Sequence, residues 1–157
     1  MRTSLKRSFA VLAIAGIAGI AGGCSSSSAT PTPQSGSPLT GTQSASSKYA
    51  TLAEPVDQTQ VAFKASRTNA ELRLTAGPFA SALQKWQGEL SAETWPSTAQ
   101  SAISTLENDI PPFVPGLNAL ASGSIDYEQF VASYGRLGTD LSLAAAAARR
   151  ALGLPPL

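Results

Sequence analysis

Residues 95–120, WPSTAQSAISTLENDIPPFVPGLNAL, decide the fold. Within them Ala99, Ile103, Leu106, Ile110, Phe113, Leu117 and Leu120 recur at steps alternating four and three, the spacing of one apolar helix face. Trp95-Pro96 opens this helix, because a proline costs nothing in a first turn whose donors have no intrahelical partner. The same apolar line then runs through Pro111, Pro112 and Pro115. Each internal proline removes a backbone hydrogen bond, at a cost of about 3 kcal/mol or more. All three fall off the seam, where freed carbonyls can reach water. The expectation is two helical pieces along one core line, joined by a kink or short break near Asp109 to Pro112.

The flanking sequence repeats the helical period. Upstream, Thr68 and Glu71 have capping-box spacing. A helix over about Asn69 to Leu90 follows, with Leu72, Ala76, Phe79, Leu83, Trp86 and Leu90 inward and a kink expected at Gly77-Pro78. Before it, Tyr49, Leu52, Val56, Thr59 and Phe63 hold the seam of a helix over about Tyr49 to Ser66. Downstream, Asp126 and Gln129 cap a helix with Tyr127, Phe130, Tyr134, Leu137, Leu141, Ala144, Ala148 and Ala151 or Leu152 inward. Arg149 and Arg150 suit its C-terminal dipole, and Gly153, Leu154 and Pro155 read as a left-handed cap, its apolar contact and a stop. Gly135 and Gly138 lower propensity in this helix and are expected to admit close helix packing. No run of alternating Val, Ile or Thr is long enough for a strand. The spacing predicts one all-α domain over 48–157, an antiparallel up-down-up-down four-helix bundle with proline-kinked helices, monomeric in solution.

The rest of the chain has a different composition. From Ser25 to Ser47 there is no charged residue, and Leu39 is the one aliphatic side chain larger than alanine. Such a segment buries too little apolar surface to offset its ordering entropy, so 24–47 is read as a disordered tether with a reach of about 25–30 Å. Residues 1–23 carry Arg2, Lys6 and Arg7, then an apolar stretch from Phe9 to Gly22 that is shorter than the roughly 20 residues a bilayer requires. These are the marks of a cleaved export signal.

That signal ends in Ala21-Gly22-Gly23-Cys24, which resembles the lipobox of bacterial lipoproteins. The resemblance implies that Cys24, the sole cysteine, receives diacylglycerol and that signal peptidase II cuts after Gly23. Two acyl chains hold a protein on a membrane stably where one does not. The loose Leu52 to Pro55 pattern, Trp95-Pro96 and the terminal Arg150 to Pro155 also resemble small alanine-rich helical lipoproteins of actinobacteria, a group with no assigned activity. The resemblance implies a lipid-anchored location on the extracytoplasmic side of the cell membrane, and a helical fold.

Charge and chemistry narrow the function further. Three of the eleven basic residues precede Cys24, which leaves eight against ten acids. The bases are scattered apart from Arg149-Arg150, so there is no footprint for nucleic acid. With no histidine and no second cysteine, disulfides, thiolate zinc sites and His-based catalysis are excluded. The carboxylate pairs Glu54 with Asp57, Glu107 with Asp109 and Asp126 with Glu128 read as solvated charge or cap residues, not a catalytic couple. Arg136 and Asp140 are spaced for a surface ion pair. Neither an enzyme nor a cofactor is expected. The sequence favours a tethered helical module that binds another envelope component or serves as accessory or scaffold. The alternative is a carrier or sensor of an apolar ligand such as a lipid, with Phe79, Trp86, Trp95 and Phe113 as its candidate contacts.

Overall fold

A computed structural model describes residues 41–155. The expected export signal, Cys24 and the part of the expected tether up to residue 40 lie outside the described residues. Four helices follow one another: α1 (Gly41–Ala65), α2 (Asn69–Ser91), α3 (Ser97–Ser122) and α4 (Tyr127–Ala151). No strand occurs among the described residues. α1 packs on α2, α2 on α3 and α3 on α4. Every position expected on the inner faces of α2 and α3 is buried, from Leu72 to Leu90 and from Ala99 to Leu120. No polar or charged residue is buried among the described residues, so the core is held chiefly by apolar burial, worth about 25 cal/mol per Å².

α1 begins earlier than its composition suggests. Gly41 to Ser47, assigned to the tether on the absence of charge and apolar bulk, form its first two turns. The cause is tertiary. Ala45 lies one helical turn before Tyr49 and is buried with it, and the Ser46 hydroxyl donates to the Leu152 carbonyl at the end of α4. Contacts made across the fold outweigh weak local propensity.

The expected break in α3 is absent: the helix runs unbroken from Ser97 to Ser122 with Pro111, Pro112 and Pro115 inside it, and α2 is likewise unbroken at Pro78. The three α3 prolines are exposed, while Ile110, Phe113, Val114 and Leu117 are buried around them. Pro111 has no N–H for the Glu107 carbonyl one turn back, and the Gln87 side-chain amide of α2 donates to that carbonyl instead, at 3.4 Å. A long polar side chain on the neighbouring helix thus replaces part of what the proline removes.

The caps follow the sequence. Thr68 with Glu71 and Asp126 with Gln129 form complete capping boxes. Pro96 occupies the N-cap of α3 without a side-chain bond. α4 ends in a Schellman turn: Gly153 has φ 71°, its N–H donates to Arg150 O at 3.0 Å, and that of Leu154 donates to Arg149 O at 2.8 Å. Gly123 ends α3 in the same way, with φ 74°. Tyr127 departs from expectation. It is 39% exposed, because as the first residue of α4 it lies beyond the last core layer, which begins at Phe130.

Glycines set the α3–α4 approach. A Cβ on Gly116 would meet the Tyr134 ring at 2.5–2.7 Å, and one on Gly138 would meet Phe113 at 3.2 Å. Gly138 therefore serves close packing, as expected, whereas a Cβ on Gly135 would touch only Val131 of its own helix. Gly116→Ala is expected to destabilise the domain by about 1–3 kcal/mol, since a ring packed against backbone has to move. Gly88 is exposed on α2 with open space around its Cα, so Gly88→Ala is expected to stabilise by about 0.5–1 kcal/mol. Urea unfolding of both variants checks the two signs.

Candidate functional site

The four residues singled out as apolar ligand contacts are all buried, and they belong to two separate aromatic groups. Trp86 and Trp95 meet through Tyr49, whose ring lies 5.7 Å from Trp86 and 6.2 Å from Trp95, edge-on to both. Phe79 and Phe113 lie 6.5 Å apart in a second group completed by Phe63, Phe130 and Tyr134. No ring contact joins the two groups among the described residues. The side chains that would line one pocket instead fill two places in the core with one another.

The two tryptophans differ in a polar detail. Trp95 Nε1 donates at 2.9 Å to the Leu90 carbonyl near the end of α2, an acceptor it shares with the Glu93 backbone N–H at 3.3 Å. Trp86 Nε1 is buried with no hydrogen-bond partner. Leaving a buried donor unpaired costs about 1–3 kcal/mol. The Tyr49 ring beside the indole is inclined to it at 66°, with its centroid 5.7 Å away.

Two shallow features lie on the described surface. One lies between α1 and the end of α4, lined by Ala50, Thr51, Glu54, Asp57, Gln58 and Arg149. Here Glu54 and Asp57 share a face, as their spacing suggests, and Arg149 joins them from α4, which no local pattern announces. Arg149 Nε is already bonded to the Pro155 carbonyl at 2.9 Å. Burial pushes the Asp57 carboxyl above the usual carboxylate range, with Arg149 and then Lys64 opposing it. Burial likewise lowers Lys64, with Asp57 opposing, and holds the Tyr49 phenol far above its ordinary value. The other feature is an apolar notch between α1 and α2 lined by Ala62, Ala65, Ser66, Glu71, Leu74 and Thr75. Leu74 is 76% exposed and Val61 67% exposed, the two largest apolar exposures on this surface.

Three further carboxylates take structural roles. Glu71 accepts from the Arg67 and Thr68 backbone N–H groups, at 2.6 and 3.0 Å, and these bonds hold its pKa below the usual range. Asp126 caps α4. Arg136 and Asp140 pair at 3.7 Å. No group of His, Cys, Asp or Glu suited to a metal ion occurs among the described residues, and no described helix is long and apolar enough to cross a membrane. Cys24, the residue expected to carry the lipid, lies outside the described residues.

No protein-family model, curated protein or solved structure matches this chain.

Two predictions follow from these contacts. Trp86→Phe and Trp95→Phe remove the same volume from equally buried sites, at 4% and 5% exposure. Only the second gives up a hydrogen bond, since the Trp86 donor has none to lose, so Trp95→Phe is expected to cost about 1 kcal/mol more in urea unfolding. For Asp57, a folded-state pKa above the unfolded one means that its ionised form opposes folding. The penalty is absent at low pH, grows through the carboxylate range near pH 4 and is complete at neutrality. Asp57→Asn should therefore gain stability over wild type at about pH 7 and show no gain at about pH 3, in paired urea melts.

Proposed function

We propose that this chain is a membrane-anchored extracytoplasmic lipoprotein whose helical domain is a non-catalytic module, binding another cell-envelope component or acting as its accessory or scaffold. The observation that carries the reading is the end of the apolar leader in Ala21-Gly22-Gly23-Cys24, with the basic residues Arg2, Lys6 and Arg7 before it. Diacylglycerol on Cys24 gives the two chains that stable anchoring requires.

The helices run up-down-up-down and antiparallel in this reading, kinked at the prolines. Ring contacts support that order. Tyr49, early in α1, meets Trp86, late in α2, whereas Phe63, late in α1, meets Phe79, in the first half of α2, and Phe130, at the start of α4. The Lys48–Glu93 ion pair joins the first part of α1 to the connection after α2. The domain is a monomer in this reading, and its exposed apolar side chains, Leu74 and Val61 first, are where a partner would gain most from burial.

The carrier alternative keeps one supporting observation, the buried Trp86 Nε1 without an acceptor. A ligand with a polar atom beside an apolar body would satisfy that donor. Lipid found on the purified domain by native mass spectrometry, and lost in Trp86→Phe, would favour it over the binding module.

The anchor is tested by Cys24→Ser. The substitution is expected to leave the precursor uncut or to release the protein from membranes on fractionation. Fully processed, membrane-bound Cys24→Ser protein would refute it.

A further inference from the structure

Like α4, which buries Phe130, Leu141 and three alanines, α1 buries fewer large apolar side chains than α2 and α3. Its buried side chains are Ala45, Tyr49, Ala53 and Val56, two of them alanines, and beyond Val56 none is buried. Half-buried polar groups occupy its later inner turns, Asp57, Thr59 and Gln60. α2 by contrast buries Phe79, Trp86 and three leucines, and α3 buries Ile103, Leu106, Ile110, Phe113, Leu117 and Leu120. Toward α4, α1 is held by the Ser46 bond to Leu152, the neighbourhood of Asp57 and Arg149, and the ring of Phe63 at 6.0 Å from Phe130. α4 is fixed differently, by Tyr134 against Gly116 and Phe113 against Gly138.

Elements with few buried apolar contacts open below the free energy of global unfolding. We propose that α1 is a detachable strap, which swings away as a unit about the short 66–68 connection while α2, α3 and α4 stay folded. Opening withdraws Tyr49 from Trp86 and Trp95, and Phe63 from Phe79 and Phe130. It thereby uncovers an aromatic strip that the closed form keeps from solvent. The strap is also the helix nearest in sequence to Cys24, so the anchor segment feeds directly into the moving element. The inference rests on packing and holds whichever envelope partner the module serves.

Hydrogen exchange on the full mature chain in detergent micelles tests it. Amides from Tyr49 to Val56, interior to α1 and free of end fraying, are expected to exchange about 100-fold faster than the slowest amides of α3, with a shallower urea dependence. Gly116→Ala, which strains only the α3–α4 contact, should speed the slow α3 and α4 amides about tenfold and leave those of α1 unchanged. Equal rates and equal urea slopes in α1 and α3 would overturn the proposal. So would a Gly116→Ala effect spread evenly over all four helices. The urea slopes need no variant, so the test stands even if Gly116→Ala fails to fold.

Discussion

The structure depends on two clusters of aromatic rings. Tyr49 wedges between Trp86 and Trp95, and Phe63, Phe79, Phe113 and Phe130 interlock, with Tyr134 stacked on Phe130 at 5.8 Å. The rest of the core is leucine, isoleucine, valine and alanine, aliphatic side chains with no fixed mutual angle that tolerate repacking. Rings do not tolerate it, since edge-to-face pairs fix both distance and angle. The clusters therefore set the register. The close approach of Gly116 to Tyr134 and of Gly138 to Phe113 exists because rings of that size have to fit between α3 and α4.

Much of this was legible in the sequence because helical burial is periodic. The inner faces of α2 and α3 follow the four-three spacing without exception, and both capping boxes stand where side-chain chemistry puts them. What escaped is tertiary. The first turns of α1 are helical because Ala45 and Ser46 meet the rest of the fold, which composition does not reveal. Where α3 passes Pro111, Gln87 from another helix donates to the Glu107 carbonyl that the proline leaves short of a donor. Gly116 has no local signal at all, since its role is the space it leaves for Tyr134. The candidate ligand residues were identified by type and spacing, yet they divide between two clusters, a division that depends on which helix ends meet.

For function, the same packing bears on what the domain can offer a partner. The aromatic side chains most suited to recognition are spent on the core, and the polar groove at Asp57 and Arg149 is shallow and partly self-satisfied. What remains at the surface is apolar, at Leu74 and Val61, beside a domain that the proposed lipid on Cys24 would hold within a tether's length of the membrane. Anchoring raises the effective concentration of a weak binding surface toward neighbours on the same membrane, so modest apolar patches are compatible with a specific envelope role. If α1 opens as proposed, the core aromatics join that surface only transiently.

The account stands on the division of the aromatic residues into two clusters. Nuclear Overhauser contacts among the aromatic protons of the folded domain measure it directly. The account predicts cross-peaks from Tyr49 to both Trp86 and Trp95, and from Phe63 to both Phe79 and Phe130, with none from Tyr49 to Phe113 or Phe130. Cross-peaks joining Tyr49 to the phenylalanine group, or Trp86 to Phe113, would contradict it.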